Sequence, residues 1–183
     1  RWLGVLLLIC ACEANGDGLG DDPTPRLWVI GSTEGVVPRA LAVQRSGSVF
    51  VTGRFSGLMQ YEGLQLEADG ADSLFWLMLN ADGGVQWVRS LRGRDVIFRG
   101  EQAAPRSSGG WWLGANVDRR MVIDGVSYQP GAWVFAIEEG IIVQARLLEM
   151  LSLSRLASAP DRPLAVAGAG ALGPQVELLT EDA

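Results

Sequence analysis

Short apolar runs that end at glycine recur along this chain, separated by polar turns. Three of the runs share one pattern and end at Gly53, Gly114 and Gly168. These glycines lie 61 (114 − 53) and 54 (168 − 114) residues apart. A recurrence of this size predicts a repeat architecture, in which one supersecondary unit is copied along the chain.

The first copy predicts a unit of four main strands, with a small hairpin inserted between the second strand and the third. Alternation of apolar and polar residues marks the hairpin and the last strand. The third strand is a nearly continuous apolar run, as expected for a strand that is buried on both faces. Asp82-Gly83 then supplies the positive φ angles that a tight hairpin turn requires. The predicted elements lie at 40–43, 49–52, 59–61, 64–66, 73–79 and 85–91.

The second and third copies keep this order with fewer matches. In the second copy, Val143-Gln144 corresponds to Val85-Gln86, so that Ala145 takes the place of Trp87. The third copy stops after three predicted strands. The predicted elements of these copies lie at 111–113, 121–126, 132–137, 141–144, 153–157, 164–168 and 176–179.

The most distinctive residues of the first copy are 46–55, Gly63, 70–72 and 82–87. This pattern resembles the bacterial beta-propeller repeat family of secreted and surface proteins (SBBP-type repeats), above all over residues 26–92. The resemblance implies an all-β fold made of four-stranded blades of a β-propeller-like repeat. The chain holds about two and a half such blades, whereas closed propellers typically have about 4 to 8. We therefore expect an incomplete ring.

Three arrangements fit a ring that is too short to close. They are a fragment of a longer propeller, an open stack of blades, and closure through oligomerisation. The end of the chain inside the third copy favours the fragment. Residues 27–30 match 86–89, so the repeats are expected to start on the last strand of a blade. The expected blades occupy about 26–92, 93–150 and 151–183, the last of them partial.

The amino-terminal residues predict a secretory signal. Arg1 precedes an apolar run at 2–9 that is too short to span a bilayer. The residues Ile9-Cys10-Ala11-Cys12 resemble the lipobox of bacterial lipoproteins, which implies a signal peptide at 1–11 and lipidation of Cys12. Residues 12–25 are acidic and glycine-rich, and they predict a flexible tether. A buried apolar helix or strand is the alternative for the apolar run.

Composition excludes several classes of function. The net charge of −6 and the absence of a basic stripe argue against nucleic-acid binding. The chain has no histidine, which removes catalytic triads and zinc sites that need one. Both cysteines, Cys10 and Cys12, precede the repeats, so the repeats contain no thiol nucleophile, disulfide or cysteine metal site.

Tryptophans are the first candidates for ligand contacts. Most of those in the repeats lie in predicted strands at repeat-related places, where they are expected to fill the space between blades. They are Trp76, Trp87, Trp111 and Trp133. Trp112 follows Trp111 directly and must face the other way on a strand, so it is a candidate ligand contact if it is exposed.

Carboxylates are the second candidates. Asp72 precedes the inner apolar run, and Asp82 and Asp124 stand in turns before glycine. They could form a ring of ligand-binding carboxylates at a propeller channel. The alternative is turn chemistry, because Asp accepts hydrogen bonds from its own backbone in turns.

These observations favour a lipid-anchored protein of the bacterial cell envelope, at the outer membrane or cell surface. Its expected role is that of a non-catalytic binding module for an envelope protein or a glycan, without a cofactor or a metal. Two alternatives belong to other classes. One is a factor of outer-membrane assembly, and the other is a propeller enzyme that acts on polysaccharide or carries a quinone.

Overall fold

A computed structural model shows an all-β protein in which every strand pairing is antiparallel. It describes residues 4–10, 26–32, 35–61, 63–68, 73–91, 98–158 and 162–180. Within these ranges there is no helix, and the sheets do not close into a ring. The expected incomplete, propeller-like arrangement is thereby confirmed.

The first two strands form a sheet of their own. Strand β1 (Gly4–Cys10) pairs along its whole length with β2 (Arg26–Ser32). The expected strand at 27–30 is therefore present, but its partner is β1 and not a blade, because the apolar run at 4–10 supplies a matching antiparallel strand. A strand at this run is the alternative that the sequence left open, and the signal peptide stays a prediction. Cys12 lies outside the described residues.

Blade 1 is a four-stranded sheet, and a separate two-stranded hairpin lies in the sequence between its second and third strands. Its strands are β3 (Val37–Val43), β4 (Val49–Phe55), β5 (Leu58–Tyr61), β6 (Leu64–Glu67), β7 (Ser73–Leu79) and β8 (Val85–Leu91). The sheet order is β3-β4-β7-β8, and β5-β6 is the hairpin. The predicted unit, with its hairpin between the second and third main strands, is confirmed.

Blade 2 repeats this plan. Blade 3 repeats its first three main strands without the inserted hairpin. Blade 2 consists of β9 (Phe98–Pro105), β10 (Trp111–Val117), β11 (Met121–Ile123), β12 (Val126–Tyr128), β13 (Gly131–Glu138) and β14 (Ile141–Leu147). Its order is β9-β10-β13-β14, with β11-β12 as the hairpin. Blade 3 consists of β15 (Ser152–Ala157), β16 (Leu164–Gly170) and β17 (Gly173–Leu179), in that order.

A β-bulge in the first strand of every blade shows which residues are equivalent. In each blade two residues of the first strand oppose one residue of the second. The bulges contain Arg39, Glu101 and Ser154, and the residues opposite them are Gly53, Ala115 and Gly168. The residues opposite the bulges mark equivalent places in the second strands. They are 62 (115 − 53) and then 53 (168 − 115) residues apart.

This spacing corrects the alignment of the second copy by one residue. Gly114 is not the equivalent of Gly53, because Ala115 takes that place opposite the bulge. On the last strand, Gln144 pairs with Ala136 as Trp87 pairs with Met78, so Gln144 and not Ala145 stands at the place of Trp87. The glycine pattern was misleading here because Gly114 lies beside the equivalent position.

The three glycines of the sequence pattern do not all approach the same kind of neighbour. A Cβ atom on Gly53 would lie 2.5 Å from the carbonyl oxygen of Val37 in β3, which is main chain. A Cβ atom on Gly168 would likewise meet the carbonyl oxygen of Ser152. A Cβ atom on Gly114 would instead meet the methyl groups of leucines in blade 3. The first two glycines thus permit close strand approach at the bulge.

The blades stack front to back, where the front face of a blade is the one that faces the next blade. Blade 1 presents Phe50 and Trp76 forward, and blade 2 presents Trp111 and Phe135 backward, all in one buried cluster. The rings of Phe50 and Trp111 stack with their centroids 5.5 Å apart. The hairpin of blade 2 adds its own side chains to this cluster, which contains Met121, Ile123 and Tyr128.

The expectation that tryptophans fill the space between blades is confirmed. Trp76 and Trp111 are fully buried in the cluster between blades 1 and 2, and Trp87 and Trp133 are partly buried against it. A second cluster joins the front of blade 2 to the back of blade 3. A third covers the back of blade 1, where Met59 and Leu66 of the β5-β6 hairpin pack. Both faces of blades 1 and 2 are therefore buried.

Replacement of Gly53 by alanine tests the close approach of β3 and β4 at the bulge. The added methyl group must displace main chain at the bulge, so we expect Gly53→Ala to lower the free energy of unfolding by about 3 kcal/mol. The matched variant Ala115→Gly, at the equivalent place in blade 2, should cost only about 1 kcal/mol. Urea unfolding followed by tryptophan fluorescence measures both. Equal losses in the two variants would contradict the close approach of main chain to Gly53.

Candidate functional site

The most unusual polar group of the described residues is a carboxyl buried between blades 1 and 2. Glu101 lies in the bulge of β9 and is only 4% exposed. The hydroxyl of Thr52, on the front of β4, donates a hydrogen bond to its Oε2 atom at 2.7 Å. Its Oε1 atom has no hydrogen-bond partner among the described residues. We call Thr52, Glu101, Arg39 and Arg54 the seam cluster.

Sequence reasoning missed Glu101 because no alternation marks β9 as a strand. The one signal was Thr52, a polar residue inside the apolar run of β4. A buried hydroxyl needs a hydrogen-bond partner, and the stacking of the blades places that partner on the neighbouring sheet.

Burial controls the charge of the Glu101 carboxyl. Loss of solvent raises its pKa above the ordinary value of 4.5, and this effect outweighs three opposing ones. The Thr52 hydrogen bond and the positive charges of Arg54 and Arg39 each lower the pKa. The bulge residue Arg39 of β3 is the structural equivalent of Glu101, so consecutive blades place opposite charges at this position.

The seam cluster joins two blades and is closed to a substrate. A carboxyl that is 4% exposed and bonded to Thr52 is held by protein atoms and joins blade 2 to blade 1. This arrangement indicates a structural connection near the first strands of the blades, where the sequence placed no candidate.

A second set of charges joins the outer strands of the stack. Arg89 of β8 donates from Nη2 to Asp124 at 2.9 Å and from Nη1 to the carbonyl oxygen of Gly140 at 2.8 Å, both in blade 2. Arg146 of β14, at the structurally equivalent place, donates to Glu177 of blade 3 at 3.0 Å. The same arginine position thus reaches forward to the next blade twice.

The three predicted carboxylates have separate environments. Asp124 has a left-handed φ of 51° in the turn of the β11-β12 hairpin, and it pairs with Arg89. Asp82 lies in the exposed turn between β7 and β8, where the side chain of Asn80 accepts hydrogen bonds from the backbone of Asp82 and Gly84. Asp72 lies outside the described residues. Turn chemistry accounts for the position of Asp124, and the ligand role of all three stays a prediction.

Trp112 faces away from Trp111, as predicted, but its ring is buried. It is 4% exposed and belongs to the cluster between blades 2 and 3. The guanidinium of Arg106 lies 4.9 Å from the ring centroid, and the same guanidinium pairs with Glu138. The exposure that a ligand contact would need is missing in this arrangement.

Two further findings bear on the site. No group of three or more acidic or cysteine side chains that could hold a metal ion occurs in the ranges described above. Those ranges also contain no helix of the length and hydrophobicity that crossing a membrane requires. No family model, no curated protein and no solved structure matches the chain.

Replacement of Glu101 by glutamine tests the charge of the seam cluster. Because the folded-state pKa is raised, the buried carboxyl contributes most to stability below the unfolded value of 4.5 and loses that contribution as the pH rises through its folded pKa. Glutamine keeps an oxygen for Thr52 and removes the ionisation. We therefore expect Glu101→Gln to unfold at a higher temperature than the wild type at pH 7, with the difference closing near pH 4.

Thermal unfolding across this pH range measures the effect. Glu149→Gln serves as the control, because it removes a carboxylate that is exposed. A Glu101→Gln protein that is less stable than the wild type at pH 7 would mean that attraction to Arg39 and Arg54 outweighs burial.

Proposed function

We propose that this chain is a lipid-anchored repeat protein of the bacterial cell envelope that acts as a non-catalytic binding module. The resemblance of the first repeat to secreted beta-propeller repeats and of Ile9-Cys10-Ala11-Cys12 to a lipobox supports the class and the location. In this proposal residues 1–11, which include β1, leave with the signal peptide, and Cys12 carries the lipid.

The observation that carries the binding role is the pair of inserted hairpins. Each hairpin buries one methionine in the stack, Met59 in blade 1 and Met121 in blade 2, 62 (121 − 59) residues apart. Each also exposes an apolar residue at its turn, Leu64 and Val126, with the same spacing of 62 (126 − 64) residues. A rigid framework that repeats an exposed apolar side chain is suited to protein recognition.

The polar groups support binding over catalysis. Glu101 is engaged by Thr52, and Asp124 is engaged by Arg89. Both contacts join blade 1 to blade 2, and neither carboxylate is positioned as a general acid or base beside a partner of that kind. The module therefore presents its hairpins on stacked blades.

The anchor is tested at the modified residue. We expect Cys12→Ser to abolish incorporation of labelled fatty acid and to release the protein from the membrane fraction, because lipidation requires the thiol. Cys10→Ser is the matched control and should leave labelling intact. Retention of the Cys12→Ser protein in the membrane would overturn the anchor.

The binding role is tested at the hairpin turns. Leu64→Ser combined with Val126→Ser should reduce the capture of envelope partners by roughly tenfold or more, since each apolar contact contributes about 1.5 kcal/mol. Ile141→Ser, which changes an exposed apolar residue outside the hairpins, should capture partners like the wild type. Far-ultraviolet circular dichroism checks that all three proteins are folded.

The captured material distinguishes the classes of function. Recovery of an envelope protein or a glycan that depends on Leu64 and Val126 supports the binding module. Recovery of outer-membrane barrel proteins alone would assign the chain to membrane assembly. Turnover of polysaccharide, or a quinone absorbance in the purified protein, would overturn the non-catalytic role.

A further inference from the structure

The two most exposed large apolar side chains of the described residues lie in loops at one end of the stack. Leu172 is fully exposed in the two-residue turn between β16 and β17, and Leu151, directly before β15, is 73% exposed. This is the end at which the second strands β10 and β16 finish. Arg119 and Arg120, which follow β10, are exposed at the same end. We call these four residues the loop patch.

Hydrogen bonds hold the members of the loop patch side by side. The main-chain N–H of Leu151 donates at 2.8 Å to the carbonyl oxygen of Ala169, near the end of β16 and the turn that carries the second leucine. The side-chain amide of Asn116, shortly before Arg119, donates to the carbonyl oxygen of Leu153 at 2.9 Å and accepts from its N–H at 2.7 Å. The end of β10 therefore lies beside the start of β15, and the arginines lie near the leucines.

The exposure of these loops does not depend on a further blade. Leu151 lies in the link between blades 2 and 3, and the two arginines belong to blade 2, which is covered on both faces. Leu172 lies beyond the ends of its strands, whereas the blades of this stack cover one another across their sheet faces. A blade packed on the front of blade 3 would therefore leave the loop patch accessible.

The charges of the loop patch differ from those of the chain as a whole. The chain has a net charge of −6. Among the described residues of the adjoining loops, Arg119 and Arg120 face two carboxylates, Asp118 and Glu149. Asp118 is paired with Arg99 at 2.6 Å. An anionic surface is therefore attracted at this patch, while the net charge of the chain repels it elsewhere.

A bilayer fits this combination of side chains. Leucines on protruding turns enter the boundary between headgroups and acyl chains without needing a preformed pocket. Arginine side chains lay their methylene groups along apolar surface, while the guanidinium binds phosphate oxygens in a bidentate manner. We propose that the loop patch is a membrane-contact surface that inserts Leu151 and Leu172 among the headgroups of an anionic bilayer. This contact is separate from the proposed lipid on Cys12 and does not require it.

Cosedimentation with lipid vesicles tests the proposal. All proteins carry Cys10→Ser and Cys12→Ser, so that no lipid anchor contributes. We expect the parent protein to sediment with vesicles of equal parts phosphatidylglycerol and phosphatidylcholine, and at least roughly tenfold less with phosphatidylcholine alone. Leu151→Ser combined with Leu172→Ser should lower partition into the anionic vesicles about a hundredfold, since burial of each leucine contributes about tenfold.

Matched variants at the opposite end of the stack serve as controls. Arg119→Gln combined with Arg120→Gln should lower partition roughly 25-fold, because each arginine near an anionic surface contributes about fivefold. Arg45→Gln combined with Arg162→Gln changes two exposed arginines at the opposite end and should bind like the parent. Ile141→Ser, at the start of β14 and also at that end, should do the same. Far-ultraviolet circular dichroism checks that every variant is folded.

A fluorescent probe reports insertion directly. In the same cysteine-free background, an environment-sensitive nitrobenzoxadiazole dye on Leu172→Cys should brighten and shift to the blue with anionic vesicles. The same dye on Ser108→Cys, in the exposed turn between β9 and β10 at the opposite end, should not respond.

Three outcomes would each overturn the membrane contact. They are a parent protein that stays in the supernatant at millimolar lipid, equal responses of the two dyes, and binding that depends on the arginines but not on the leucines. The last outcome would assign the loop patch to an anionic polymer. None of these results depends on the hairpin partner or on lipidation, so the proposed function can fail or hold independently.

Discussion

Burial of both faces of the central strands is the constraint on which the structure depends. Strands β4 and β7 of blade 1 are buried along their length, which requires cover on two sides of one sheet. The stack supplies it: blade 2 covers the front, and the β5-β6 hairpin covers the back. Phe50 stacked on Trp111 is the centre of this arrangement, because aromatic rings bury the largest apolar area per residue.

The seam cluster is an exception to the apolar character of the interface between blades 1 and 2. Thr52 and Glu101 place a hydroxyl and a carboxyl where the rest of the interface is hydrocarbon. A polar pair of this kind contributes little net stability, since desolvation of the carboxyl opposes its hydrogen bond. Its position beside the bulges gives it a different effect: only one register of blade 2 on blade 1 brings Glu101 to Thr52. We infer that the pair contributes to alignment of the blades more than to their adhesion.

Strand order and hairpin insertion followed from the sequence because alternation and turn residues are local. The residue-by-residue alignment of the second copy with the first did not follow from the sequence, because it depends on a bulge. The bulge around Glu101 adds a residue to β9, and no local pattern reveals where two residues oppose one. Gly114 then suggested an equivalence with Gly53 that strand pairing gives to Ala115. The seam cluster was inaccessible for a different reason, since Glu101 meets Thr52 only when two sheets stack.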